Sequence, residues 1–143
     1  MPEITVQPLP TTPRDCQTRG WEEIDIVLVS GDAYVDHPSF GVALIGRLLE
    51  AEGYRVAILP QPRYDHEADF RRFGRPRLFF GISSGNLDSI VANYSSNGKV
   101  RDLDAYSPGG SPWRTEIREK KNRYRPDRSV LVYANLARRA FPE

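Results

Sequence analysis

Asp32, Asp36 and His37 fall close together in the stretch GDAYVDHPSFG, residues 31–41. Two carboxylates and an imidazole so spaced could move a proton, bind a cation or orient a polar ligand. A metal site is the weaker of these readings. Adjacent Asp36 and His37 chelate awkwardly, and the only other histidine, His66, lies in a different segment. A second polar cluster, Ser83, Ser84 and Asn86, occupies SSGN at residues 83–86. The competing reading is structural, because Asp, Ser, Asn and Gly also make turns and cap helices. Several familiar chemistries are absent. There is no G-x-S-x-G nucleophile elbow, no G-x-G-x-x-G dinucleotide fingerprint and no G-x-x-x-x-G-K-[ST] phosphate loop.

The surrounding elements decide whether the two clusters meet. IDIVLVS (24–30) is a short apolar run rich in β-branched residues, as in a buried parallel strand. Gly41, Leu44, Ile45 and Leu48 follow at helical spacing, with Ser39 as expected N-cap and Gly53 as expected stop. YRVAIL (54–59) reads as a second strand, DHEADFRRFG (65–74) as a short helix or turn, and RLFFGIS (77–83) as a third strand. Leu87, Ile90, Val91 and Tyr94 then repeat the helical stripe, with Asn86 as expected cap.

This alternation predicts an α/β fold, Rossmann-like in the flavodoxin or cobalamin-binding manner, with a parallel sheet in strand order 2-1-3. In that order strands one and three are neighbours, and a ligand crevice forms at the switch point beyond their carboxyl ends. Asp32, Asp36, His37, Ser83, Ser84 and Asn86 are therefore expected along one crevice rim. Helix N-termini behind both loops would favour a small anion or phosphate-bearing ligand.

Residues 1–20, with Pro2, Pro8, Pro10 and Pro13, read as an extended arm. Residues 21–143 read as the Rossmann-like domain, with an irregular connection near 95–125 and a final helix near 127–141. The stretch RTEIREKKNRYR (114–125) could be a solvated helix. The basic run Arg114–Arg128 with Tyr124 suggests RNA, but Glu116, Glu119 and Asp127 dilute it, so a solvated face is the favoured reading.

Of 143 residues, 39% are hydrophobic and 27% charged, with net charge +1, which describes a soluble globular domain with no bulk field for nucleic acid. No apolar run is long enough to span a membrane. MPEITVQPLP has neither a basic nor an apolar signal region, which makes the cytoplasm the default location. Cys16 is the only cysteine, so no internal disulfide and no cysteine-based zinc or iron–sulfur site can form.

DIVLVSGDAYVDHPSFGVALIGRLLEAEGYRVAILPQP, FGISSGNLDSIVANY and RPDRSVLVYANLARRAF resemble the start of the YgiQ-type radical SAM proteins over Trp21 to Phe141. The resemblance implies an N-terminal domain of a much longer protein. In that family a radical SAM core follows, whose C-x-x-x-C-x-x-C motif holds a [4Fe–4S] cluster that binds S-adenosylmethionine. The missing core is then the expected partner. This chain lacks the motif and is expected to be catalytically incompetent alone. It ends at AFPE, where a further parallel strand is expected, so the domain reads as truncated. The implied role is to help bind or position substrate or cofactor; the alternatives are a packing module or a cobalamin-like or phosphate-ligand-binding domain. Cobalamin is disfavoured. In Asp36-His37-Pro38-Ser39-Phe40-Gly41 the histidine directly follows the aspartate, which departs from the D-x-H-x-x-G spacing of cobalamin domains that use histidine as cobalt ligand.

Overall fold

A computed structural model describes residues 7–114 and 123–142. The elements run α1 (Pro13–Thr18), β1 (Ile26–Ser30), α2 (Gly41–Ala51), β2 (Val56–Pro60), a 3₁₀ turn (Ala68–Arg71), β3 (Phe79–Ser83), α3 (Ser89–Asn93), a second 3₁₀ turn (Pro108–Gly110) and α4 (Ser129–Ala140). The sheet is parallel with order β2-β1-β3, as the alternating pattern predicts. Ile26 pairs with Val56 on one side and Phe79 on the other, and the register continues to Ser30, Pro60 and Ser83. All three strands therefore end level, and their following loops share one edge.

Two faces bury different side chains. Val27, Val29, Ala57 and Leu59 point to one face, where Tyr133, Leu136 and Ala137 of α4 pack with Phe70. Ile26, Leu28, Val56 and Ile58 point to the other, with Leu9. Alternation along each strand produces this division. β1 and β2 are buried on both faces, hence their unbroken apolar runs.

The helical stripes behave differently from their sequence pattern. Leu44, Ile45 and Leu48 are exposed, while Val42, Ala43 and Gly46 face the sheet. Close approach is the reason. A Cβ at Gly46 would lie 2.4 Å from Leu9 Cδ1, so α2 packs through its small face with Leu9 wedged beneath. Leu87, Ile90 and Val91 are likewise exposed, and Ser89, Ala92 and Asn93 are buried. The caps also shift. Phe40, not Ser39, is the N-cap of α2, and Ser39 Oγ is engaged with His37 Nδ1 at 2.7 Å. Asp88, not Asn86, caps α3 by accepting from the Ile90 N–H.

The segment expected to be an extended arm contains α1. Thr12 and Asp15 form a capping box, with Pro13 at the first helical position. Leu9 and Cys16 are buried, and the Ile58 N–H donates to Pro10 O at 2.8 Å, so the arm lies along the outer edge of β2. The stretch 115–122 within RTEIREKKNRYR lies outside the described residues.

Asp25 fastens the other end of the sheet. Its carboxylate accepts from the Arg55 N–H (2.8 Å) and Arg55 Nη2 (3.1 Å), and Arg77 Nε lies 3.2 Å away. These strand-start arginines hold the Asp25 carboxyl below the usual carboxylate range, Arg55 most strongly. A depressed pKa contributes stability above the unfolded value, about 3.9, that is lost as pH falls through the folded value. The urea midpoint should therefore drop steeply below about pH 4. Asp25→Asn should lower the neutral-pH midpoint and flatten this acid limb, which urea titrations at pH 7, 5, 4 and 3 would reveal.

Candidate functional site

The three strand ends place Gly31, Gln61 and Ser84 side by side. The Gly31 N–H donates to Ser83 O (3.1 Å), and the Gln61 N–H to Ser30 O (2.8 Å). Asp32 turns inward, its own N–H capped by Ser30 Oγ at 3.0 Å. Its Oδ2 accepts from the Asn86 N–H at 2.7 Å, across the two loops. The loops touch so closely that two glycines are required. A Cβ on Gly31 would lie 2.2 Å from Ser84 O, and one on Gly85, at φ +109°, would lie 2.2 Å from Asp32 Oδ1.

Arg125 fills what would be the crevice. It is 1% exposed, as is Asp32. Its Nη1 donates to Ser84 O at 2.7 Å and lies 2.8 Å from Asp32 Oδ1, while Nη2 donates to Asp104 Oδ2 at 3.2 Å. Ser107 Oγ also donates to Asp104 Oδ2 (2.7 Å), and the Tyr106 N–H donates to Asp104 Oδ1 (2.9 Å). Gln61 Nε2 closes the network by donating to Ser107 Oγ (2.7 Å) and Gly31 O (3.0 Å). Burial pushes the Asp32 carboxyl up, against the opposing pull of the Asn86 N–H and the Arg125 guanidinium. The strands, the 104–107 turn and Arg125 are thus one desolvated polar unit.

The residues expected on one rim divide into two groups. Asp32, Ser84 and the backbone of Asn86 belong to the buried network, and Ser83 Oγ supports it by accepting from the Gly85 N–H at 3.1 Å. Asp36 and His37 lie outside it on the exposed surface. Arg47 draws Asp36 away: Nε donates at 3.0 Å and Nη2 also bonds the carboxylate, holding its pKa down. His37 and Asp36 line a separate hollow of about 310 Å³ with Pro38, Ala43, Leu44 and Arg47.

Sequence reasoning missed Arg125, Asp104 and Gln61. The sequence pattern assigns Arg125 to a solvated basic face, yet it is buried. Its neighbours in that run stack on aromatic rings: Arg114 over Tyr124 at 4.9 Å and Arg123 over Tyr94 at 4.8 Å. A usable signal existed in DAYSPGG (104–110), where an aspartate precedes turn residues. Gln61 gives no signal, although its φ of +42° is unusual for a side-chain-bearing residue.

An open cleft lies at this edge among the described residues. It holds about 540 Å³ beyond β1 and β2, lined by Tyr34, Gln61, Arg63, Arg72, Arg114 and Tyr124. Asp69 anchors its wall, accepting from the Arg63 N–H at 2.8 Å with Arg72 Nη2 at 3.5 Å.

Residues 8–143 match the family described as Radical SAM N-terminal. The chain belongs to that family. It is 53% identical to a UPF0313 protein of Thermotoga petrophila, 52% to one of Bacteroides thetaiotaomicron and 52% to one of Methanosarcina acetivorans. Each comparison covers 94% of this chain but only 22%, 20% and 17% of the relative. The chain thus spans about a fifth of the length of these relatives. No solved structure matches it.

Family membership makes a [4Fe–4S] cluster and S-adenosylmethionine relevant to the full-length protein. The residues present here do not fit the cluster, because Cys16 is the single cysteine and it is buried. Burial also pushes its thiol up, away from the thiolate that iron requires. Among the described residues no three His, Cys, Asp or Glu side chains gather as a metal site. No helix among them is long and apolar enough to cross a membrane.

Removing Arg125 would leave two buried carboxylates facing each other without a cation. Arg125→Met should therefore cost about 3–5 kcal/mol. Gly85→Ala should also be strongly destabilising, since the new methyl meets Asp32. His37→Ala should change stability by less than about 1 kcal/mol. Urea unfolding of the three variants would check this ranking.

Proposed function

We propose that this chain is a non-catalytic accessory domain of a radical SAM enzyme, and that the carboxyl edge of its sheet helps to bind or position substrate or cofactor. The observation that carries this reading is the cleft beside Tyr34, Gln61, Arg63 and Arg72. It lies beyond the carboxyl ends of the strands, beside the β1/β3 switch point and not at it, and its lining sets Arg63, Arg72 and Arg114 against the one carboxylate of Asp69, a net positive wall even with Arg63 paired to Asp65 and Arg72 to Asp69. The ligand place moves from the sequence-expected crevice between β1 and β3, now filled by Arg125, to the adjoining space beyond β1 and β2. The domain division into an arm and a Rossmann-like unit, the narrower YgiQ-type assignment and a cytoplasmic setting, where cluster thiols stay reduced, belong to the same proposal.

A second reading is supported by the exposed Leu44, Ile45 and Leu48 on α2 and Ile90 and Val91 on α3. Apolar faces of this kind suit a packing module that only supports the remainder of the protein.

Full-length protein with a reconstituted cluster separates the two. The assay is 5′-deoxyadenosine formation from S-adenosylmethionine, with and without a small-molecule cell extract as substrate source. The first reading expects stimulation by extract in the wild type and its loss in Arg72→Glu, with iron content unchanged. Equal stimulation in both would favour the packing module. The isolated chain should take up no stable cluster on treatment with iron and sulfide. A cluster absorbance from the monomeric chain would contradict both readings.

A further inference from the structure

We propose that the cleft beyond β1 and β2 takes a phosphomonoester whose organic part carries a hydroxyl or amino group, with Arg72 on the phosphate and Gln61 Oε1 on the hydroxyl or amino donor. The inference rests on the ligand role proposed for this cleft and names the chemical class that fills it.

Arg72 is the anion contact. Its Nη2 lies 3.5 Å from Asp69 Oδ2, an oxygen that already accepts the Arg63 N–H at 2.8 Å. Asp69 therefore orients Arg72 through a long contact and shares its charge with Arg63. The other N–H groups of Arg72 have no partner among the described residues, and its side chain stands 32% exposed on the cleft wall. A planar guanidinium so placed offers a fork of donors to an oxyanion.

The neighbouring cations favour a phosphate over a carboxylate. Arg63 and Arg114 line the same cleft. Arg114 is fixed there, because its Nη2 donates to Gln61 O and its guanidinium stacks 4.9 Å from the Tyr124 ring centroid. Among the described residues these three cations face two carboxylates, Asp65 on Arg63 and Asp69 on Arg72. One fork satisfies the two in-plane oxygens of a carboxylate. A phosphomonoester brings three terminal oxygens and a charge of about −1.5 to −2 at neutral pH, enough for more than one fork.

Gln61 sets the second requirement. Its Nε2 donates inward to Ser107 Oγ at 2.7 Å and to Gly31 O at 3.0 Å. A backbone carbonyl can only accept, so the amide nitrogen must face inward and Oε1 must face away. Oε1 accepts no hydrogen bond among the described residues, yet it is not one of the buried orphaned atoms, so it keeps contact with solvent. The open space that Gln61 lines is the cleft. A fixed acceptor at its wall selects a ligand with an O–H or N–H donor, because a ligand without one leaves that oxygen unpaired. The cleft holds about 540 Å³, more than an inorganic ion needs, and Tyr34, Pro60 and Pro108 give it an apolar wall for an organic body.

Full-length protein with a reconstituted cluster provides the test. 5′-Deoxyadenosine formation is measured with small-molecule extract, used untreated or after alkaline phosphatase has been applied and removed. The phosphatase cleaves phosphomonoesters and leaves carboxylates and phosphodiesters intact. Stimulation of the wild type should fall about tenfold or more after the treatment. In calorimetry, ribose 5-phosphate should bind about tenfold or more tightly than phenyl phosphate, whose organic part has no donor. Arg72→Glu should lose that binding with iron content and urea midpoint unchanged. The phosphatase comparison needs only the wild-type protein, so it stands whether or not the variant folds. Stimulation that survives phosphatase, absent or equal binding of the two esters, or undiminished binding by Arg72→Glu would each overturn the proposal. Stimulation that survives phosphatase but is lost in Arg72→Glu overturns the ligand class alone. Stimulation that persists in Arg72→Glu overturns the ligand role of the cleft itself.

Discussion

A single buried guanidinium holds the carboxyl end of this sheet together. Arg125 enters from the long connection before α4 and ends between the carboxylates of Asp32 and Asp104, with the Ser84 carbonyl as a further acceptor. Desolvating one cation with two carboxylates is costly by itself, and hydrogen bonds to those groups offset part of the cost. The Asn86 N–H bonds Asp32, Tyr106 and Ser107 bond Asp104, and Gln61 holds Ser107 in place, while Arg125 Nε is left without a hydrogen-bond partner among the described residues. Arg125 thereby fixes which loops can touch, why Gly31 and Gly85 carry no side chain, and where open space remains.

This arrangement explains how the connection is ordered with little regular structure. Residues 95–112 contain only one 3₁₀ turn, yet Asp104 and Ser107 are buried. Their side chains take the place of a ladder. The Tyr106 carbonyl accepts from the Ala33 N–H at 2.8 Å, stitching the turn to the loop after β1. Downstream, Asn93 Nδ2 donates to Arg125 O and Asp127 Oδ1, which ties α3 to the start of α4. The site and the fold are one hydrogen-bonded structure, so the same residues cannot also form an open crevice.

The sequence made the sheet legible because β1 and β2 are buried on both faces. Their continuous β-branched runs can be little else, and order and direction follow from alternation with helices. Helix facing was not legible. Leu44, Ile45 and Leu48 keep a helical period, but the period says only that a stripe exists. Gly46 and Ala43 won the buried face because Leu9 needs the room. The split of the rim was equally hidden. Asp32 and Asp36 are chemically identical, and their fates depend on Arg125 and Arg47, which lie 93 and 11 residues away in sequence. A long-range partner leaves no local pattern, so a charged run such as Arg123-Tyr124-Arg125 reads as solvated whether or not it is.

The central claim is that Arg125 and Asp32 are energetically coupled and close the switch point from within. A double-mutant cycle on Arg125→Met and Asp32→Asn, read by urea unfolding, tests it most directly. The coupling should be about 1–3 kcal/mol, as for contacting members of one network. Additivity within about 0.5 kcal/mol would mean that the pair is not formed and that the crevice is open.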